Sequence, residues 1–243
     1  MNKENFLISE IKKIGIAIDD IQIKQFLTYY QLLIEWNNVM NLTAITEYSE
    51  VVQKHFVDSL AFVKAMDEGC LQANGISLID IGTGAGFPGI PIKIAFPNLK
   101  ITLLDSLNKR IKFLNEVIEK LEINHIEAVH GRAEDFAKQA KYREQYDICV
   151  SRAVANLATL SEYALPYVKK NGYFISYKAE NIEHEIEESR NAISILGGRI
   201  EQVEKFNLPD TDIRRTIIKI KKEKATEKKY PRKAGIPSKE PLK

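Results

Sequence analysis

The middle of the chain alternates short apolar runs with longer segments in which apolar residues recur at helical spacing. Short apolar runs are typical of buried strands, and the helical spacing predicts amphipathic helices between them. This alternation favours a parallel sheet with helices on both faces. The predicted strands are 78–81, 101–104, 126–130, 148–150 and 173–177, and the predicted helices are 90–96, 109–122, 133–141, 157–169 and 182–196.

The pattern changes after Gly197 and Gly198. Two further predicted strands, 200–206 and 216–220, are separated only by a turn at Pro209 and Asp210, with no helix between them. They are therefore expected to form a hairpin, so that the sheet ends in antiparallel order. We predict an α/β fold with a Rossmann-like, seven-stranded sheet whose last strand is antiparallel.

The residues before the first strand carry a helical pattern that neither glycine nor proline interrupts over residues 16–68. We therefore predict a helical extension over residues 1–75, a sheet domain over residues 76–222 and a basic tail over residues 223–243. One predicted helical face comprises Ile23, Phe26, Leu27, Tyr30, Leu33 and Asn37, and a second comprises Val52, His55, Phe56, Ser59, Leu60 and Val63.

A glycine-rich turn follows the first predicted strand. Asp80 stands near the end of that strand, and glycines occupy positions 82, 84 and 86. Glycine leaves room for a ligand and reaches backbone angles that other residues avoid, while Pro88 and Pro91 suit the first turn of a helix. Together these features indicate a ligand cradle. The alternative is a turn that only packs a helix on the sheet.

The same stretch discriminates between two classes of cofactor. Residues 84–89 satisfy the dinucleotide pattern GxGxxG, but in a dinucleotide fold the first glycine ends the strand almost directly. Here Asp80 and Gly82 precede Gly84. The full string resembles the first motif of class I S-adenosylmethionine-dependent methyltransferases, and the terminal hairpin is a second feature of that class. The resemblance implies a class I methyltransferase fold with S-adenosylmethionine as its cofactor.

Candidate ligand-binding residues follow the second and third strands, since ligands of open parallel sheets bind beyond the carboxyl ends of the strands. Asp105 stands where a carboxylate accepts hydrogen bonds from ribose hydroxyls; its alternative role is a helix N-cap. In the methyltransferase fold the loop at 131–135 borders the adenine, although acids are also common at a helix start. We interpret Lys109 and Arg110 as a solvated basic face.

The loop after the fourth strand, at Ser151 and Arg152, is where methyltransferases keep residues beside the target atom. It lacks the Asn/Asp-Pro-Pro-aromatic tetrapeptide used on exocyclic amines and the Pro-Cys or Thr-Cys pair used on pyrimidine carbon. Cys149 precedes the loop and is expected to point into the sheet. A ring nitrogen such as guanine N7 is therefore favoured, because its lone pair needs no general base and alignment suffices. Arg152 either contacts cofactor or substrate or anchors the loop by an ion pair.

His55 and Asp58 lie three residues apart on a predicted helix, with Ser59 beside them. The sequence contains no second cluster of histidines and acids that would complete a metal site. We therefore expect no metal, and we interpret the pair as part of a polar helix face that lines the cleft.

Composition indicates an ordinary globular protein of the cytoplasm. The 243 residues are 44% hydrophobic and carry a net charge of +2. Cys70 and Cys149 form no metal or disulfide pattern, no apolar run approaches membrane-spanning length, and the N-terminus lacks the layout of a signal peptide. We expect a cytoplasmic monomer without a membrane partner.

Several segments together resemble the family of ribosomal RNA small subunit methyltransferase G, also called glucose-inhibited division protein B, over nearly the whole chain. The resemblance implies methyl transfer from S-adenosylmethionine to N7 of a guanine (guanine 527) in 16S rRNA of the small ribosomal subunit. It places the cofactor against Gly82, Phe87, Ala133, Glu134 and Arg152. The segments are 41–45, 55–60, 80–91, 104–106, 109–110, 131–134, 151–155 and 230–237.

The charge is unevenly distributed along the chain. Residues 219–243 hold ten Lys or Arg against three Glu, so the remainder is mildly acidic. This basic tail suggests a polyanionic partner, with Arg232 and Lys233 contacting RNA phosphates and Tyr230 available to stack on a base. The alternative is a solvated tail that only aids solubility. In either case we expect the tail to lie outside the sheet, so that its removal barely changes cofactor affinity or melting temperature.

Two other classes of function compete with this hypothesis. The first is a non-catalytic RNA-binding factor for ribosome assembly, which the intact glycine turn and Asp105 disfavour. The second is a nucleotide-dependent dehydrogenase, which the terminal hairpin and the spacing of Asp80 disfavour.

Overall fold

The core of the fold is a seven-stranded sheet, seen in a computed structural model that describes residues 2–66, 69, 71 and 73–243. The strands are β1 (Ser77–Ile81), β2 (Lys100–Asp105), β3 (Ile126–His130), β4 (Tyr146–Arg152), β5 (Val168–Lys178), β6 (Gly198–Asn207) and β7 (Arg214–Lys222). Their spatial order is β3-β2-β1-β4-β5-β7-β6. Strands β1 to β5 are parallel, and β7 is antiparallel to both of its neighbours. The predicted sheet with its antiparallel end is confirmed.

Strand β1 lies where the direction of winding reverses. It pairs with β2 on one side and β4 on the other, so that Asp80 faces Leu103 and Val150 in the register. The chain continues outward from β2 to β3 on one side and from β4 to β5 on the other. Such a switch point leaves a crevice beyond the carboxyl ends of the strands, and the glycine turn after β1 lies there.

Helices surround the sheet and precede it, and none of the helices described is long and apolar enough to cross a membrane. A π-helical turn spans Val52–Val57, and 3-10 turns span Ala61–Lys64 and Leu165–Tyr167. The described α-helices are α1 (Lys3–Lys12), α2 (Asp20–Met40), α3 (Tyr48–Val51), α4 (Asp58–Leu60), α5 (Gly89–Ala95), α6 (Asn108–Lys120), α7 (Ala133–Phe136), α8 (Leu157–Ala164), α9 (Glu183–Ile195) and α10 (Ile236–Lys239).

Two helices are shorter than the sequence predicts. The helix predicted over 157–169 ends at Ala164, because Pro166 lacks the amide proton that a longer helix would use. The helix predicted over 133–141 ends at Phe136. The chain then turns so that the Tyr142 ring packs on Phe136, with ring centroids 5.0 Å apart.

The N-terminal helices pack on the sheet domain through a continuous apolar core that includes Phe26, Leu33 and Phe56. The Tyr29 hydroxyl donates a hydrogen bond of 2.5 Å to the Ala85 carbonyl, which ties α2 to the glycine turn. The predicted face of α2 is wrong in one respect, because Tyr29 is buried and the neighbouring tyrosine at position 30 remains partly exposed. Helical spacing alone does not fix which edge of the apolar face points inward.

The residues after β7 return over the sheet domain. The Arg143 guanidinium donates hydrogen bonds to the carbonyls of Thr226 (2.7 Å) and Tyr230 (2.8 Å). The Tyr230 side chain is buried in the apolar core on that side of the sheet. The expectation that Tyr230 is free to stack on a base is therefore wrong. The partners of this segment lie far away in sequence, so the run of basic residues gave no sign of them.

Candidate active site

Two cavities open at the carboxyl ends of the parallel strands, separated by the loop after β4. The first has a volume of about 290 Å³ and the second about 430 Å³. Residues lining the first include Gly82, Asp105, Gly131, Arg132, Ala133, Glu134, Val154 and Tyr163. Residues lining the second include Ile45, Lys54, His55, Asp58, Arg152, Ala153, Tyr177, Lys178 and Arg215.

The glycine turn borders the first cavity. Gly82 and Gly84 have φ angles of +68° and +63°, in the left-handed region that favours glycine. A Cβ atom on Gly82 would lie 2.6 Å from Cγ2 of Val154, so the turn and the loop after β4 meet without room for a side chain. At Gly84, apart from its two chain neighbours, no described residue has an atom within 4 Å of the corresponding position. The predicted dependence of this turn on glycine backbone angles is confirmed.

Asp80 fixes the turn to the helix that follows it. Its buried Oδ2 accepts hydrogen bonds from the Thr83 hydroxyl (2.6 Å) and the Gly89 N–H (2.9 Å). Burial raises the pKa of Asp80 to about 7, because the low-polarity surroundings disfavour the carboxylate charge. Asp80 therefore shapes the turn from within the sheet.

Asp105 ends β2 at the wall of the first cavity. Its Oδ2 accepts hydrogen bonds from the Gly84 N–H (2.9 Å) and Arg110 Nη1 (3.1 Å), and its Oδ1 accepts one from the Leu107 N–H (2.9 Å). Helix α6 begins at Asn108 without a side-chain cap, so the alternative role of Asp105 as N-cap is wrong. The interpretation of Arg110 as merely solvated is also wrong, since it pairs with this buried carboxylate.

The loop after β3 supplies another part of the wall. Glu134 is buried, and its Oε1 accepts a hydrogen bond of 3.0 Å from the Gly235 N–H. The Tyr167 hydroxyl donates a hydrogen bond of 2.6 Å to the Ala133 carbonyl. The first cavity thus brings together the residues that the sequence assigns to ribose and adenine, with Gly82 beside them.

Arg152 lies in the second cavity and is held by residues of the N-terminal helices. Its Nη1 donates hydrogen bonds to Asp58 Oδ2 (2.9 Å) and the Lys54 carbonyl (3.1 Å), and its Nη2 lies 3.3 Å from His55 Nδ1. The other oxygen of Asp58 accepts a hydrogen bond of 3.0 Å from Arg215 Nε. The predicted polar helix face that lines the cleft is confirmed, and the ion pair proposed as one alternative for Arg152 is present.

His55 and Phe87 complete this group. Their rings stack with centroids 4.5 Å apart, and the Arg152 guanidinium lies 5.1 Å from the Phe87 centroid. Burial, with the charge of Arg152, lowers the pKa of His55 to about 3. His55 is therefore neutral near pH 7, with Nδ1 accepting from Arg152 and Nε2 bonding to the Thr43 hydroxyl at 2.8 Å. Phe87 is buried and lies on the side of the second cavity, although the resemblance places it against the cofactor.

Sequence reasoning did not single out several of the residues that line the cavities. Val154 and Tyr163 contribute to the first, and Arg215 contributes to the second. Arg215 lies near the start of β7. Its hydrogen bond to Asp58 depends on the pairing of β7 with β5, which the sequence around Arg215 does not indicate. In the part of the chain that the structure describes, no three His, Cys, Asp or Glu side chains are grouped to hold a metal ion.

Comparison with known proteins gives close relatives over the full length. The family described as GidB: rRNA small subunit methyltransferase G matches residues 22–217. The chain is 54% identical over 242 residues to the ribosomal RNA small subunit methyltransferase G of Lachnoclostridium phytofermentans, covering 100% of this chain and 98% of that protein. A protein of the same name from Clostridium botulinum (strain Loch Maree) is 52% identical over 239 residues, 98% of each chain.

Solved structures with the same fold are more distant in sequence. The crystal structure of M. jannaschii TYW2 in complex with AdoMet matches with a TM-score of 0.53 and 16% identity, over 69% of this chain and 76% of that one. TrmN from Thermus thermophilus matches with a TM-score of 0.52 and 12% identity, over 70% of this chain and 53% of that one. Identities this low establish a shared fold alone.

Proposed function

The chain belongs to the family of rRNA small subunit methyltransferase G, and we propose that it transfers the methyl group of S-adenosylmethionine to N7 of a guanine in 16S rRNA. Guanine 527 is the position that the sequence resemblance implies, and such a substrate implies action in the cytoplasm. The observation that carries the proposal is the wall of the first cavity, where Asp105, Glu134 and Gly82 line one space.

The residues of the first cavity suit an adenine nucleoside. A carboxylate can accept about four hydrogen bonds. The Asp105 carboxylate accepts from three donors within the protein: the N–H groups of Gly84 and Leu107, and the Arg110 guanidinium. The Arg110 side chain is 36% exposed, so it is the donor that ribose hydroxyls can replace most readily. Glu134 and the backbone at Ala133 then face the base. When bound, S-adenosylmethionine supplies an electrophilic methyl group.

The second cavity suits the acceptor RNA. Among the described residues, Lys54, Arg152, Lys178 and Arg215 line it with a single carboxylate, Asp58. Each of these cations forms an ion pair, with Glu50, Asp58 or Glu185, and RNA phosphates can compete for those pairs. The loop at 152–154 contributes to both cavities. A methyl donor in the first cavity and a guanine in the second would therefore meet at this loop.

The described residues around that loop favour a reaction without a base or a covalent intermediate. His55 is neutral and engaged on both nitrogens. Burial raises the pKa of the Cys149 thiol, and a buried thiol in apolar surroundings is a poor nucleophile; Cys70 lies outside the described residues. Guanine N7 has its own lone pair, so the protein needs only to align acceptor and donor. Cys149→Ala should remain active.

Replacing Asp105 tests the cofactor site. Asp105→Ala should weaken S-adenosylmethionine binding in calorimetry by about 1–3 kcal/mol, the scale for a lost hydrogen bond to a charged group. Asp212→Ala removes an exposed acid from the turn between β6 and β7 and serves as the control of equal charge change. Asp105→Asn keeps the shape, so it separates binding from folding. Unchanged affinity in a folded Asp105→Ala protein would show that the ribose assignment is wrong.

The reaction itself is tested on its product. Mass mapping of 16S rRNA from cells with and without the gene should show one N7-methylguanine that depends on this protein. Identical maps would favour the non-catalytic RNA-binding alternative.

A further inference from the structure

The C-terminal segment, defined here as residues 230–240, is clamped to α8 by an ion pair whose carboxylate is buried. Arg232 Nε and Nη2 donate hydrogen bonds to the two oxygens of Glu162 (2.9 and 2.7 Å). The Arg232 backbone N–H donates a third to Glu162 Oε1 (2.8 Å). The Glu162 side chain is fully buried. Two parallel hydrogen bonds between a guanidinium and a carboxylate fix the position of both side chains.

Two further hydrogen bonds hold the C-terminal segment, one within the segment and one to α8. Arg232 Nη2 donates a hydrogen bond of 2.8 Å to the Glu240 carbonyl. The Thr159 hydroxyl, one turn before Glu162 on α8, donates one of 2.9 Å to the Pro237 carbonyl. The backbone between Arg232 and Glu240 is therefore held at both ends and in the middle.

The clamped segment reaches the first cavity at Glu134. Gly235 lies between Arg232 and Pro237, and its N–H donates to Glu134 Oε1 at 3.0 Å. Gly235 has a φ of +85°, in the region that glycine tolerates best. Tyr163, next to Glu162 on α8, lines the same cavity. Helix α8, which contacts Arg232 through Glu162, and the Glu134 carboxylate therefore both contribute to the wall of the first cavity.

We propose that Arg232 is a positioning residue for the cofactor site: through Glu162 it fixes residues 232–237, whose Gly235 N–H orients the Glu134 carboxylate toward an adenine nucleoside. This inference rests on the proposed function. It gives Arg232 a role inside the protein in place of the RNA contact expected from the sequence. The Lys233 side chain next to it is exposed.

The test compares Arg232→Ala with Lys239→Ala, which removes an exposed charge from the same segment. Arg232→Lys keeps a positive charge beside Glu162 but loses the fork, so it guards against simple unfolding. Two quantities are measured on the folded, full-length proteins. One is the affinity for S-adenosylmethionine by calorimetry, and the other is amide hydrogen exchange of residues 131–136 without ligand.

Arg232→Ala should weaken S-adenosylmethionine binding roughly tenfold, the scale of one charge-assisted hydrogen bond, and speed exchange at residues 131–136. Arg232→Lys should fall between Arg232→Ala and the parent, and Lys239→Ala should match the parent. Unchanged affinity in Arg232→Ala would overturn the proposal, as would a loss of RNA binding alone. If the parent protein itself fails to bind S-adenosylmethionine, the proposed function fails, while hydrogen exchange still reports whether Arg232 orders the Glu134 loop.

Discussion

The N-terminal helices and the C-terminal segment both lie outside the sheet, and each completes a different cavity. The helices are attached through a broad apolar core and deliver His55 and Asp58 to the second cavity. Apart from buried side chains such as Tyr230 and Pro237, the C-terminal segment is attached through hydrogen bonds and the ion pair of Arg232 with Glu162. It delivers the Gly235 N–H to Glu134 beside the first cavity. In the proposed reaction, the C-terminal segment therefore contributes to the cavity for the methyl donor, and the N-terminal helices contribute to the cavity for the acceptor.

The two attachments differ in how they respond to change. Apolar burial is spread over many side chains and is non-directional, so a single conservative substitution removes little of it. Polar attachment depends on a few directional contacts, and removal of one partner leaves the other buried and unsatisfied. We expect the C-terminal segment to depend on a few side chains, and the N-terminal helices to be vulnerable mainly at their polar end around Asp58.

The largest effect is expected from Asp58→Ala. The residue is 4% exposed, and its carboxylate accepts hydrogen bonds from Arg152 and Arg215. Breaking a buried ion pair on one side costs about 3–5 kcal/mol, and the lower end applies because both guanidiniums retain some contact with solvent. Urea denaturation measures the loss.

The control for Asp58→Ala is Glu187→Ala, which breaks an exposed pair with Arg190. That change should cost less than about 1 kcal/mol. Equal losses in the two variants would contradict the view that Asp58 anchors the polar end of the helices.

A smaller effect is expected where the C-terminal segment begins. Arg143→Ala removes donors to the carbonyls of Thr226 and Tyr230, and water can replace part of what is lost. We expect a loss of about 2 kcal/mol in unfolding free energy and faster tryptic cleavage within residues 223–233. Arg199→Ala, which breaks an exposed pair with Glu223, is the control. Unchanged cleavage in Arg143→Ala would mean that other contacts suffice to hold the segment.

The pH dependence of stability distinguishes the two ends as well. Because the pKa of His55 is about 3 when folded and about 6.5 when unfolded, the unfolded chain binds more protons between these values. Stability is therefore lost as the pH falls through this window, by about 2 kcal/mol from pH 7 to pH 5 for this one group. His55→Gln should remove that share of the acid loss in urea titrations.

His184→Gln provides the matching control, since its imidazole is 86% exposed. It should leave the pH dependence of the parent unchanged. If His55→Gln follows the parent curve too, His55 is not held neutral by its surroundings.

Local features of the chain were predictable from the sequence. The glycines of the turn adopt positive φ angles that favour glycine, and Asp105 ends a strand. The position of both at the crevice therefore follows from residue type and from spacing along the chain. The hairpin of β6 and β7 is likewise a local signal. Pro166 was also a local signal, and its presence inside the predicted helix 157–169 should have shortened that helix.

Contacts between distant residues were not predictable in the same way. Glu162 and Arg232 are 70 residues apart, and nothing in either neighbourhood indicates the other. Charge runs suggest solvated segments because most are, so the buried use of Arg232 went unseen. The choice between Tyr29 and its neighbour depends on how α2 rotates against α5, which helical spacing alone does not determine.

The smallest effect is expected from Lys233→Ala, and it decides whether the C-terminal segment also serves the RNA. Lys233 is exposed, so its loss should change stability and S-adenosylmethionine affinity by less than about 0.5 kcal/mol. If it contacts a phosphate, the slope of log affinity against log salt for 16S rRNA or the small subunit should fall by about 0.7–0.9. An unchanged slope would assign RNA capture to Lys54, Lys178 and Arg215 of the second cavity. The C-terminal segment would then contribute only to the first cavity, and RNA binding would depend on the second cavity, which the N-terminal helices complete.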